Sequence, residues 1–153
     1  MPVNVHVADP IWAYLPIDSL NDGLMSASRW RIDMSRPGML DHAQLLTTLE
    51  NAVKNNPETT FIACHLANCD FDLSILGNLF DKYPNLYADI SARYYQTASI
   101  PRRVKAFYTK YSDRLLYGTD MSTDIRMYRF TFRVLQTADE HFYFRFTYHW
   151  PMY

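Results

Sequence analysis

The chain has 153 residues, 48% of them apolar, and a formal net charge of −1 at neutral pH. That length fits a single domain with a sizeable core, and the balanced charge supplies no basic stripe for nucleic acid and no pull towards an anionic membrane. No run is long and apolar enough to span a bilayer and no basic-then-apolar leader opens the chain, so it reads as soluble. The two cysteines, Cys64 and Cys69, match neither a disulfide framework nor a CxxC metal site and read as free thiols. Twelve Tyr and nine Phe read first as core and interface packing.

Residues 2–7 (Pro-Val-Asn-Val-His-Val) have strand composition, with valines alternating against Asn4 and His6, and the pattern breaks at Asp9-Pro10. Residues 11–40, which include Trp12, Arg29 and Trp30, carry no sustained period. A segment of that size is either a functional lid or an irregular insertion without a catalytic role. Asp41 opens a helix marked by Leu45, Leu46, Leu49 and Val53 and stopped at Asn56-Pro57. A strand over 59–64 ends at His65. A helix starting from Asp70 or Asp72 runs through Leu73, Leu76, Leu79 and Phe80 to Tyr83-Pro84. The strand Leu86-Tyr87-Ala88 arrives at Asp89. A third helix runs from about Pro101, a tolerated first-turn position, to Tyr111.

The apolar run Arg114-Leu115-Leu116-Tyr117 then stops at Gly118, which would permit a tight exit, and delivers Asp120 just past its end. A last helix spans about 123–137. Asp120 is either the N-cap of that helix or a site carboxylate. The tail from Asp139 is rich in Phe, Tyr, Arg and His, and both ends of the chain read as cut from something longer.

Four strand–helix units in succession argue for parallel βαβ connections with right-handed crossovers. In such a sheet all carboxyl ends point one way, so His6, His65, Asp89 and Asp120 converge on one rim. Imidazole nitrogen and carboxylate oxygen are what a divalent cation such as zinc takes as ligands. A lone histidine after a strand is otherwise hydrogen-bonded structure. Arg93 suits a substrate carboxylate or a structural ion pair.

These segments, 2–10, 56–68, 83–93 and 113–120, resemble in order the amidohydrolase superfamily of metal-dependent (β/α)8 barrels, in particular the aminocarboxymuconate-semialdehyde decarboxylase-like branch. The resemblance implies a partial TIM-type barrel of about four βα units, strands five to eight, over 1–153, with 11–40 as a lid insertion. It implies His6 as the fifth-strand metal ligand and His65 as the sixth-strand histidine, binding metal or protonating substrate. Asp120 would bind metal and act as base towards metal-bound water, with Asp89 and Arg93 on the substrate side and zinc as the expected metal.

The chain has no HxH pair, which that superfamily carries on its first strand, and nothing corresponding to strands one to four. The implied activity is hydrolysis or non-oxidative decarboxylation of a small carbonyl or carboxylate substrate. The competing reading is a catalytically inactive half-barrel or interaction module. Either a homo-oligomer or pairing with the missing half would close the exposed sheet edges.

Overall fold

The computed structural model describes residues 1–121 and 123–140; the aromatic tail from 141 onward lies outside the described residues. Four strands, β1 (Val3–Val5), β2 (Phe61–Ala63), β3 (Leu86–Asp89) and β4 (Leu115–Leu116), lie side by side in chain order with every pairing parallel. Among the described residues six α-helices accompany them: α1 (Leu24–Trp30), α2 (His42–Asn55), α3 (Leu73–Lys82), α4 (Tyr94–Ala98), α5 (Pro101–Lys110) and α6 (Ile125–Gln136).

Helices α2, α3 and α6 start where a side chain satisfies a free N–H group of the first turn. Asp41 accepts from the Gln44 backbone N–H at 2.8 Å while the Gln44 side chain accepts from the Asp41 N–H, a reciprocal capping box for α2. Asp72 caps α3 and Asp124 caps α6, each accepting from the N–H two residues on. The cap of α6 is therefore Asp124, and Asp120 plays no part in it. Pro101 occupies the first turn of α5.

Register decides which side chains the helices cover. Val3, Phe61 and Leu86 form one cross-strand row, and Val5, Ala63, Ala88 and Leu115 a second. Within these rows Phe61, Ala63, Leu86 and Ala88 are buried, in one core with Leu46, Leu49 and Val53 of α2, Leu76 and Phe80 of α3, Val104 and Phe107 of α5, and Met127 and Phe130 of α6. The intervening residues, Asn4, Ile62, Tyr87 and Leu116, are exposed or half-buried. Consecutive parallel strands joined by right-handed crossovers place their helices on one face, which gives this one-sided core. A doubly wound sheet, whose strand order reverses, would cover both.

At the amino ends of the strands, backbone groups are closed by two long polar side chains. Arg114 donates from Nε to the Leu86 carbonyl at 3.0 Å and from Nη2 to Leu86 at 2.7 Å and Tyr83 at 2.5 Å. Asn85 Nδ2 reaches the carbonyls of Val53, Asn56 and Thr59.

Three features go beyond or differ from the sequence expectation. Residues 11–40 hold helical structure that no period announced: a 3-10 turn (Ile11–Ala13) and α1 fold together, with Ile32 N–H donating to the Ala13 carbonyl. Gly23 is required there, because a Cβ on it would lie 2.1 Å from the Trp12 indole. No period announces such a unit because its cohesion comes from Asn21, whose side chain bonds the Trp12 and Pro16 carbonyls. The short α4 was not expected. Gly118 has no left-handed φ, and a Cβ on it would make ordinary contact with Ser91 at 3.5 Å; the left-handed turn falls at Asp120, φ 55°.

Among the described residues no helix is long and apolar enough to cross a membrane. Cys64 and Cys69 are free thiols.

Candidate functional site

Among the described residues seven non-glycine positions have positive φ: Ala8, His65, Leu66, Ala67, Asn68, Ala92 and Asp120. Every one lies just beyond the carboxyl end of a strand. Left-handed backbone costs an L-residue about 1–2 kcal/mol, and such conformations persist only where surrounding contacts over-determine them. The carboxyl rim is therefore both where the sequence concentrates polar groups and where the backbone is strained.

His65 sits at the centre of this rim in a left-handed turn and is buried, 8% exposed. Its backbone N–H donates to Asp89 Oδ1 at 2.9 Å, and its Nδ1 lies 2.8 Å from Ser91 Oγ and 3.1 Å from the Ser91 carbonyl. A carbonyl only accepts, and Ser91 Oγ donates its own proton to Asp89 Oδ1. Both partners thus require Nδ1 to carry the proton, which assigns the tautomer and leaves Nε2 as a lone pair. Burial, then the Arg93 charge, pushes the His65 pKa below its ordinary value, so the ring is neutral near pH 7.

That lone pair faces Asp120. Nε2 and Asp120 Oδ2 are 3.8 Å apart, and the Asp120 side chain is 60% exposed. Two acceptors facing each other across a gap longer than a hydrogen bond form a place for a proton, a water or a cation. His6, just past the end of β1, lies with its ring 4.9 Å from that of His65 in an edge-to-face arrangement.

Donor chemistry therefore matches a divalent cation in kind. It does not match in number: among the described residues no group of three or more His, Cys, Asp or Glu side chains is gathered as ligands for one ion. An ion at this rim would need further ligands from outside these residues.

Asp89 and Arg93 act behind the rim. Burial alone would raise the Asp89 carboxyl, but hydrogen bonds from Ser91 Oγ and from the His65 and Ser91 N–H groups outweigh it and hold the group below the usual range. Arg93, 6% exposed, directs Nε to Asn68 Oδ1 at 2.9 Å and pairs with buried Asp70 at 3.4 Å. Burial dominates both partners, lowering the Arg93 pKa and raising that of Asp70. Cys64, on the same rim, is pushed up to about 11 by burial and by Asp89, which keeps it a thiol rather than a nucleophilic thiolate.

The structure brings His6, His65 and Asp120 to one rim, sets Asp89 behind His65, where it accepts from the His65 and Ser91 N–H groups, and turns Arg93 inward. Sequence reasoning missed Ser91, which fixes the His65 tautomer, and Asn68, which bonds Arg93 and the end of β1. The signal for Ser91 was its place two residues after the strand-end Asp89, the spacing at which a carboxylate bonds a following N–H. Comparison with protein-family models, curated proteins and solved structures finds no match to this chain.

Proposed function

We propose that the chain forms one wall of a metal-dependent hydrolase or decarboxylase site of the amidohydrolase type, as strands five to eight of a (β/α)8 barrel. The observation that carries this reading is the His65 Nε2 lone pair held 3.8 Å from the Asp120 carboxylate beside His6. A sheet with consecutive parallel strands and helices on one face supports it, since a barrel wall is built that way. In this reading a divalent ion, zinc by donor chemistry, is held jointly by this rim and by imidazoles from another barrel half. The substrate is a small carbonyl or carboxylate compound.

The chain's own residues then have distinct tasks. Asp89 and Ser91 lock Nδ1–H of His65, so Nε2 presents a lone pair that can accept a proton from a group at the rim and return it. Asp120, exposed and unburdened by the helix cap, receives or directs that proton. His6 walls the site on the β1 side.

Calorimetric titration of the chain with zinc tests the proposal. Weak binding is expected, because the donor set is incomplete, and it should weaken further by more than about tenfold in Asp120→Asn and in His65→Gln. Binding of unchanged strength in both variants would refute the site. Sub-micromolar binding by wild type that both variants abolish would show that this half alone holds the ion. No binding at all favours the inactive module.

A further inference from the structure

Asn68 is fully buried, and its side-chain amide reaches two separate strand ends. Nδ2 donates to the carbonyls of Val7 at 3.2 Å and Ala8 at 3.1 Å, while Oδ1 accepts from Arg93 Nε at 2.9 Å and from Arg93 Nη2. An asparagine amide has two N–H donors and one oxygen with two lone pairs, so every position is used. Its orientation follows from the partners: turned over, the oxygen would face two carbonyls and the NH2 group a guanidinium. Asp lacks the donors, Gln is one methylene longer, and Leu would leave four polar groups unpartnered.

The partners are placed so that these bonds govern the site. Val7 and Ala8 directly follow His6, Arg93 follows the Asp89–Ser91 pair that holds His65, and Asn68 itself closes the left-handed turn that begins at His65. β1 is an edge strand with a three-residue register, and Val7 and Ala8 lie beyond that register. His42, in α2, fastens the turn from the other side through the Asn68 carbonyl at 2.9 Å.

We propose that Asn68 is the positioning residue of the rim: its amide fixes the backbone after His6 against the turn bearing His65, and so sets the separation of the two imidazoles. The proposal rests on the reading of this rim as a site, but the ring contact it explains is measurable without any ligand.

Asn68→Asp keeps the side chain's size and its acceptor for Arg93 and replaces the donors to Val7 and Ala8 by oxygen. In proton NMR of the full chain, the nuclear Overhauser contact between the His6 and His65 rings should be present in wild type and lost in Asn68→Asp, while the Nδ1–H of His65 stays bonded to Ser91. A scaffolding role would lower the urea midpoint without moving that contact. A folded Asn68→Asp with the contact intact overturns the proposal.

If the variant does not fold, the wild type is read in rising sub-denaturing urea. Protection of the Asn68 side-chain N–H protons and the ring contact should then disappear together, and a contact that survives free exchange of those protons overturns the proposal. Zinc titration of Asn68→Asp should show about 10–100-fold weaker binding, as for other residues that orient ligands. Absence of zinc binding in wild type would sink the metal reading alone and leave the ring contact to decide this one.

Discussion

The two ends of the sheet are built on opposite principles. At the amino end Arg114 and Asn85 satisfy five carbonyls on unstrained backbone. The carboxyl end holds all seven left-handed non-glycine residues, a buried Arg93–Asp70 pair, and the exposed groups His6 and Asp120. The amino end is closed by ordinary hydrogen bonds on relaxed backbone, whereas the carboxyl end holds strained backbone and buried charge that only tertiary contacts keep in place.

Removing one arginine from each end breaks the comparison most sharply. Arg93→Met leaves the Asp70 carboxylate buried without its partner and should cost about 3–5 kcal/mol. Arg114→Met leaves the part-buried Tyr83 and Leu86 carbonyls without their donor and should cost about 1–3 kcal/mol. Urea unfolding of both variants checks the order; a larger loss for Arg114→Met would invert the comparison.

A smaller effect comes from pH. Burial pushes the pKa of His42 below its ordinary value, against the pull of the Asn68 carbonyl, Asp70 and Asp41; burial and Arg93 do the same to His65, against Asp89 and Asp120. The unfolded state titrates at about 6.5, so below that pH it binds protons that the folded state resists. Stability is fully present above about pH 6.5 and falls as pH drops below it. The contribution of His42 is isolated with His42→Gln, which keeps a donor for Asn68 and removes the titration. The fall in urea midpoint between pH 7.5 and 5.5 should be shallower in the variant. An equal fall would exclude His42 as a cause.

The smallest effect sharpens the account of strain. Ala92→Gly relieves a left-handed φ of 54°, and the larger entropy of glycine in the unfolded chain offsets part of the gain. A net stabilisation of up to about 1 kcal/mol is expected. Ala88→Gly, within β3, should destabilise by about 1 kcal/mol. Thermal unfolding that shows the same sign for both would remove strain from the description of the rim.

Local chemistry made the architecture legible. Asp41 announces one helix and Asp70 or Asp72 the next through side chains that act within three residues, and the short apolar runs announce parallel strands; that helices cover only one face, leaving Ile62, Tyr87 and Leu116 exposed or half-buried, is not announced by them. His65 and Asp120 were legible as strand-end groups. What the sequence withholds is contact across long separations. Nothing near Asn68 signals that it bonds Val7 and Ala8, and nothing near Arg93 signals that it turns inward to Asp70. The left-handed run from His65 to Asn68 contains no glycine to betray it, because tertiary hydrogen bonds, rather than intrinsic preference, hold it.

The register of the sheet also sets an order of assembly. Phe61 pairs with Leu86 and Ala88 with Leu115, whereas Val3 must find Phe61 across more than twice that length of chain. Closing the shorter loops costs less entropy, so β2, β3 and β4 with their helices can condense first and β1 adds to a surface already formed. In that order His6 would be carried on the last strand to arrive, and its ring would meet that of His65 only when the rest of the sheet had folded.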